Sequence, residues 1–442
     1  MRCLVLSSIA VAAIALTACS TKRTEPVIRF GPEPLRAANR ALLETAMEDA
    51  FNPPQASRVY VYPHLAHLAV MSAATGDSRG SFLDSLAEWP GMPQIDTSSA
   101  HTELTALLAF AKVARLLVFT EADMDSLAAR MQTMARAQGL SDDRIKASLS
   151  TADSMTARFK TWIANDRYRE TRTMDRYTSS TEPGHWVETP LDYTSALEPH
   201  WARIRPLAIR SADHYRVPEM VPFSQVKNSD FWKMVDEVRT GQGSATDSIG
   251  AIGLYWDDNP TISSHIGHLM VQEHRISPPG HWLNIISLTT RARQDDLLST
   301  SQAYALAAVA MHDALINCWH EKYRTDVIRP ITYIQALMDP EWQSLIQTPP
   351  FPEYPSGHSA VSAAAATVLE ALHGPDHAFT DSTEAIFGMG TRSFPGYQEA
   401  AWEVTMSRFY GGIHYMVSLR EGNTMGRRVA ERALSLNQHS TP

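Results

Sequence analysis

Apolar residues recur three and four positions apart along most of the chain, with charged residues between them. This spacing predicts amphipathic helices. In the first half it predicts five, over residues 35–51, 56–75, 102–119, 121–138 and 142–165. Alternating runs of β-branched residues are scarce, so we expect little or no sheet. The pattern therefore predicts an all-α protein.

The helical period stops over residues 167–222, where six prolines predict a long irregular crossing. It returns at 223–240 and 247–255. It breaks again at Pro260 and at Pro278-Pro279-Gly280, which we interpret as a rigid turn, and resumes from Leu283. We therefore expect two helical bundles packed as one body. The N-terminal bundle with its crossing would cover 35–222, and the C-terminal helical domain 223–442.

Charge narrows the functional classes. The 442 residues carry 39 Lys and Arg against 48 Asp and Glu, a formal net charge of −9. No overall basic field attracts nucleic acid, so we expect no nucleic-acid partner. Any anionic ligand must be attracted by a local cluster of cations.

The N-terminus predicts export. Arg2 precedes an apolar run that is too short to span a bilayer, which is typical of a signal peptide over residues 1–18. The run ends in Leu16-Thr17-Ala18-Cys19, which resembles the lipobox of bacterial lipoproteins. That resemblance implies cleavage before Cys19 and a lipid on its thiol. The alternative is an ordinary secretory signal.

With a lipid on Cys19, residues 19–34 would be a linker after the anchor. Ser20, rather than an aspartate, favours anchoring at the outer membrane, facing the periplasm or the cell surface. Cys3 would leave with the signal and Cys318 has no partner, so we expect no internal disulfide.

Three segments of the second half carry candidate chemistry. Residues 319–330 place Lys322, Arg324 and Arg329 close together at the end of a predicted helix. Residues 351–366 place Ser356-Gly357-His358 before a predicted helix at 359–372. Residues 407–415 place Arg408 and His414 on either side of two glycines.

These residue types suit a tetrahedral oxyanion. Such a ligand needs fixed cations, which Lys322, Arg329 and Arg408 supply, and backbone amides at a helix start. Ser356 and Gly357 precede such a start. Taken singly, each segment also has an ordinary structural explanation: a solvated basic cluster, a proline-glycine turn or a core histidine.

Together the segments resemble a known family. Lys322-x6-Arg329-Pro330, Pro355-Ser356-Gly357-His358 and Ser407-Arg408-x5-His414 are similar, in order and spacing, to the signature of the type 2 phosphatidic acid phosphatase and vanadium haloperoxidase superfamily.

The resemblance implies a role for each signature residue. Lys322, Arg329 and Arg408 would hold the oxyanion, with Ser356 and the Gly357 amide completing the cradle. His358 would be the acid–base residue. His414 would be the apical group, binding vanadium or attacking phosphorus.

The signature is compatible with two chemistries. Trp319 and Phe351 resemble the aromatic residues beside the halide position of soluble chloroperoxidases, although both could be ordinary core residues. The leading hypothesis is vanadate-dependent oxidation of halide by hydrogen peroxide, passed on to an organic acceptor. The alternative is hydrolysis of a phosphate ester through a phosphohistidine at His414, with phosphate in the cradle. A lipoprotein that only binds oxyanions is a third possibility. No aspartate follows His414, so the partner of its ring is left open.

Other polar residues are weaker candidates. Asp257 and Asp258 are candidates for carboxylates that would contact the buried cations and balance their charge. His281, in the predicted turn, would lie near the mouth of the site. Five residues are interpreted as structural or solvated rather than as ligands. They are His64, His67, the His312-Asp313 pair and Arg324.

Overall fold

The computed structural model of the protein describes residues 28–91, 94–266 and 269–438. The predicted signal peptide and Cys19 lie outside these ranges. Within them, no helix is both long enough and apolar enough to cross a bilayer.

The first half is a helical bundle built around α2 and α3. Its helices are α1 (Glu33–Glu48), α2 (Pro53–Thr75), α3 (Thr102–Arg115), α4 (Glu121–Ala137), α5 (Asp142–Ala164) and the short α6 (Tyr168–Thr171). The Asn52 side chain caps α2 by accepting a hydrogen bond from the Gln55 amide, and Gly76 ends the helix in the left-handed conformation. Helix α3 packs against α2, α4 and α5.

The crossing between the halves is held by buried polar contacts rather than by regular structure. Apart from a 3₁₀ turn at Trp201–Arg203, no regular element is assigned between α6 and α7 in this described part of the chain. The Asp313 carboxylate accepts hydrogen bonds from the amides of Leu207, Ala208 and Ile209 at 2.6–2.9 Å. Asp313 therefore fixes the crossing to the second half.

The second half contains eight helices among the described residues. They are α7 (Asp230–Gly241), α8 (Ser248–Tyr255), α9 (Pro278–Ala292), α10 (Leu297–Thr325), α11 (Pro330–Leu337), α12 (Gly357–His373), α13 (Tyr397–Tyr410) and α14 (Met416–Gln438). Helix α12 lies at the centre and packs against α10, α13 and α14.

Helix α14 approaches α12 very closely because two of its residues are glycines. A β-carbon on Gly422 would lie 2.4 Å from the Ser356 carbonyl oxygen, and one on Gly426 would lie 2.1 Å from that of Ala360. No side chain fits in that space. The start of α12 is therefore held rigidly against α14.

The two halves pack directly on each other, since α2 contacts α10 and α1 contacts α9. His64 bonds Asn39 at 3.1 Å, and His67 bonds Ser301 at 2.8 Å. His312 lies 3.0 Å from the Ser57 hydroxyl. These three histidines are buried in contacts between helices.

The all-α prediction is confirmed, with local corrections. The helix expected from residue 223 begins only at Asp230, because Ser229 provides the cap. Pro278 and Pro279 do not form a turn but begin α9, since a first-turn proline lacks only an N–H that has no helical acceptor.

The β-strands of the described residues form two short antiparallel pairs. One pairs β1 (Thr261–Ile266) with β2 (Leu269–His274), and the other pairs β3 (Phe379–Asp381) with β4 (Arg392–Phe394).

Candidate functional site

The ends of four helices meet at one place in the second half. The last turn of α10 carries Lys322, the N-cap of α11 is Arg329, and the N-cap of α12 is Ser356. The last turn of α13 carries Arg408, and His414 lies in the loop between α13 and α14. These side chains are at most 2% exposed. The signature residues, spread over some ninety positions of sequence, therefore converge.

The start of α12 presents backbone amides to the site. The Ser356 hydroxyl accepts hydrogen bonds from the Ser359 amide at 3.3 Å and from the Ser359 hydroxyl at 3.0 Å. The hydrogen of the Ser356 hydroxyl therefore remains available to a ligand. The first-turn amides of Gly357 and His358 have no helical acceptor. A β-carbon at Gly357 would lie 3.3 Å from the Trp319 ring. Glycine therefore keeps this helix end open beside the indole.

Two guanidinium groups are fixed by backbone carbonyls and keep one nitrogen unpaired. Arg329 donates from Nε to the Phe351 carbonyl and from Nη1 to the Ile413 carbonyl, both at 2.9 Å. Arg408 donates from Nη1 to the carbonyls of Trp256 and Asp257. Arg329 Nη2 and Arg408 Nε are buried without a hydrogen-bond partner. Unpaired buried donors of this kind indicate a site for an acceptor ligand.

The ammonium group of Lys322 is held in the same way. It donates to the carbonyls of Pro352 and Glu353, each at 2.9 Å, which uses two of its three hydrogens. The Phe351 ring centroid lies 5.0 Å from Lys322 Nζ and 5.0 Å from Arg329 Cζ. Trp319 packs on Phe351 with 4.9 Å between ring centroids. The two aromatic residues therefore form one wall of the site.

Glu353 is the ring partner of His414, which could not be identified from the sequence. His414 Nδ1 donates to Glu353 Oε1 at 2.6 Å, and the Tyr415 amide donates to the same oxygen at 2.9 Å. This contact leaves His414 Nε2 facing Arg329 Nη1 at 3.4 Å. Burial and the Arg329 charge hold the pKa of His414 well below its usual value. His414 is therefore neutral, with the Nε2 lone pair directed into the cradle.

His358 and Asp257 form the opposite side. His358 Nε2 donates to the Asp257 carbonyl at 3.2 Å, and burial together with the Arg408 charge keeps the pKa of His358 well below normal. The Asp257 carboxylate lies 3.7 Å from Arg408 Nη2. Burial raises the pKa of Asp257 to about 6. The Asp258 carboxylate instead contacts His281, with 2.8 Å between Asp258 Oδ1 and His281 Nδ1.

Positive charge dominates this buried space. Burial lowers the pKa of Lys322 to about 7 and that of Arg329 to about 10, and it lowers that of Arg408 as well. The adjacent carboxylates are Glu353 and Asp257, and burial raises the pKa of Glu353 to about 7. A bound anion would remove the mutual repulsion of the three cations, because opposite charges at short range favour the charged forms.

A cavity of about 180 Å³ opens beside the cradle. Both halves of the protein line it; the lining residues include Asn52, Pro53, Leu197, Asp257, Phe351, His358 and Arg408.

Arg324 lies outside the cradle, where it is exposed and pairs with Glu321 at 2.6 Å, in agreement with its interpretation as solvated. One residue lies differently from its sequence-based placement. His281 is not at the mouth of the site but fully buried among carboxylates. Pro278 and Pro279 begin α9 instead of forming a turn, and the first turn of that helix is buried.

The chain is similar to known proteins in sequence and in fold. Residues 302–441 match the family model of the VCPO second helical-bundle domain. The fold is similar to the crystal structure of a bacterial vanadium-dependent iodoperoxidase, with 34% sequence identity, a TM-score of 0.86 and coverage of 93% of this chain and 97% of that one.

A second solved structure, a holo-type bacterial vanadium-dependent chloroperoxidase, has 17% identity and a TM-score of 0.64, with 90% and 95% of the two chains covered. At that identity the likeness concerns the fold alone. No curated protein sequence matches the chain significantly.

We expect Glu353→Gln to weaken oxyanion binding about 10- to 100-fold, because the amide no longer provides the carboxylate that orients the His414 ring. Binding of inorganic vanadate to the purified protein, followed by isothermal titration calorimetry, measures the effect. Glu48→Gln, at an exposed position of α1, is the matched control. Unchanged vanadate affinity in Glu353→Gln would show that the Glu353 contact does not orient His414.

Proposed function

The chain belongs to the vanadium-dependent haloperoxidase family, and from that premise we propose that it oxidises iodide with hydrogen peroxide while vanadate occupies the cradle. One observation carries the proposal: two buried guanidinium nitrogens, Arg329 Nη2 and Arg408 Nε, lack partners beside the neutral ring of His414.

The residues of the cradle fit vanadate. Its oxygens would accept hydrogen bonds from the side chains of Lys322, Arg329 and Arg408, from the Ser356 hydroxyl and from the Gly357 amide. His414 Nε2 would bind the vanadium, since Glu353 fixes the ring with its proton on Nδ1. When bound, vanadate supplies the Lewis-acidic centre that activates peroxide towards halide.

His358 handles the protons of the reaction. Its low pKa keeps the ring unprotonated at neutral pH, so its Nδ1 can accept a proton from incoming peroxide while Nε2–H stays bonded to the Asp257 carbonyl. The Asp257 carbonyl also accepts from Arg408, so one peptide group positions both side chains.

Lys322 orients the oxidant. Its ammonium group is fixed by two carbonyls, and an anion in the cradle would raise its pKa again and keep it charged. A charged donor at that position would withdraw electron density from bound peroxide.

Iodide is the halide that this site suits. The aromatic wall of Trp319 and Phe351 offers a polarisable surface, and iodide is the least strongly hydrated of the common halides and the easiest to oxidise. The iodoperoxidase that is 34% identical supports this choice.

The two other hypotheses have weaker support. A cradle that binds vanadate also suits phosphoryl transfer, because bound vanadate has a five-coordinate geometry similar to that of the transition state of phosphoryl transfer. However, the solved structures described above are peroxidases. A protein that binds oxyanions without turnover has no observation in its favour.

We also propose that the protein is exported and held at the outer membrane through a lipid on Cys19. The support is the sequence Leu16-Thr17-Ala18-Cys19-Ser20 after a short apolar run.

We expect iodide oxidation that requires both vanadate and peroxide, and its loss by at least about 1,000-fold in His414→Ala, which lacks the apical ligand. The assay follows triiodide formation by absorbance. His274→Ala, at an exposed position of β2, is the matched control. Hydrolysis of a chromogenic phosphate ester without any iodide oxidation would instead support the phosphatase hypothesis.

His358→Ala should lower kcat about 100-fold or more while changing vanadate affinity less than tenfold, since the ring transfers protons but does not bind vanadium. Steady-state kinetics and vanadate titration measure the two effects separately. A fall in vanadate affinity as large as the fall in kcat would assign His358 to binding instead.

Cys19→Ala should release the protein from membranes. In a bacterial host fed a clickable palmitate analogue, the wild-type chain should be labelled and sediment with the outer membrane, whereas Cys19→Ala should be unlabelled. Labelling of both chains, or of neither, contradicts the anchor.

A further inference from the structure

A second buried polar cluster adjoins the cradle, and none of the roles proposed above uses it. It consists of Asp258 after α8, His281 in the first turn of α9, Asp381 in β3 and Glu384 in the 3₁₀ turn that follows. Their side chains are at most 3% exposed. Three carboxylates and an imidazole in one buried space require a physical explanation.

Three of these side chains converge with the spacing of metal ligands. His281 Nδ1 lies 2.8 Å from Asp258 Oδ1 and 3.8 Å from Glu384 Oε1. The three donor atoms all lie within 4.8 Å of one another, and no other group of three ligand-type residues this compact occurs in the described part of the chain. Atoms that share one cation lie about 3 Å apart or more, given metal–ligand bonds of about 2.1 Å. The Glu384 separation meets this criterion, and the 2.8 Å contact of Asp258 with His281 would lengthen slightly on metal binding.

Glu384 provides an independent indication of a ligand. Its Oε1 is buried and has no hydrogen-bond partner. An unpaired carboxylate oxygen in the interior is costly, because it has lost its water without replacement. A cation between Glu384 and His281 would satisfy it.

The other ring nitrogen of His281 is arranged as in metal-bound histidines. Nε2 donates to Asp381 Oδ2 at 2.7 Å, and Asp381 is held by the Tyr255 hydroxyl and by Thr383. A carboxylate on one ring nitrogen is the usual arrangement of a metal-bound histidine. The other nitrogen, Nδ1, hydrogen-bonds the Asp258 carboxylate in this structure, so a cation would take the place of the proton between them. The Trp256 ring stacks on the imidazole at 4.5 Å and holds its plane.

We propose that Asp258 Oδ1, His281 Nδ1 and Glu384 Oε1 bind one divalent transition-metal cation, Mn²⁺ or Zn²⁺. A mixed set of one imidazole and two carboxylates suits these ions. The cation connects the segment Trp256–Asp258 to α9 and to the 3₁₀ turn. That segment supplies the carbonyls that position Arg408 and His358. The metal is therefore structural and separate from the oxyanion.

The test uses purified full-length protein without an affinity tag, expressed with Mn²⁺ and Zn²⁺ in the medium and dialysed extensively. Elemental analysis should find about one cation per chain. Asp258→Asn and Glu384→Gln should each lower this content at least fivefold. Asp376→Asn, an exposed carboxylate just before β3, should keep it.

A second measurement needs only the wild-type chain. After treatment with a chelator, adding Mn²⁺ or Zn²⁺ should raise the melting temperature by about 4 °C at a hundredfold excess over Kd. The result remains decisive even if the substituted proteins fail to fold.

Two results would overturn the proposal. Wild-type protein with less than a tenth of a cation per chain and no thermal shift would show that His281 is a charged imidazolium paired with Asp258 and Asp381. Cation content that persists in both Asp258→Asn and Glu384→Gln would place the metal elsewhere. Neither measurement depends on iodide oxidation, so failure of the metal site and failure of the proposed function are distinguishable.

Discussion

The constraint on which the site depends is the burial of three cations in one small space. Lys322, Arg329 and Arg408 are almost completely removed from water. Burying a charge costs several kcal/mol unless partners replace the lost hydration. Here backbone carbonyls replace most of it, and the two adjacent carboxylates do not balance the charge. The protein tolerates this arrangement because the rest of the domain holds the carbonyls in place, and a bound oxyanion would restore the balance of charge.

The helical scaffold explains how that arrangement is held. Helix α12 is central, and α14 lies against its first turn so closely that Gly422 and Gly426 cannot carry a side chain. The amides at the start of α12 therefore have fixed positions before any ligand arrives. The first half of the chain contributes differently. Through the contact of α2 with α10 and the residues Asn52 and Pro53, it supports one wall of the cavity.

Much of this architecture could be predicted from the sequence because helical period is a strong local signal. Helices α3, α4 and α5 begin at the predicted residues, and α12 begins two residues earlier than predicted. The errors occur where local signals are ambiguous. Pro278-Pro279 is compatible with a turn or with a helix start, and only the cap by Ser277 decides between them.

The signature residues could be identified from the sequence because their spacing is specific. The residues that contact them in the fold could not be identified in this way. Glu353 lies only three residues before Ser356. However, the sequence around a carboxylate in a proline-rich loop does not distinguish a partner of a histidine from a solvated acid. The cluster around His281 could not be predicted from the sequence for another reason. Its members come from four elements over more than a hundred positions, and only the fold brings Asp381 and Glu384 to Asp258.

The short loop before α12 has a further consequence for how such proteins diverge. The carbonyls of Phe351, Pro352 and Glu353 hold Arg329 and Lys322, and the Glu353 side chain holds His414. Four contacts thus share one stretch of backbone of fixed length. An insertion or deletion there would disturb all of them together. We therefore expect changes of length to be tolerated better in loops that do not contact the cradle than in this one.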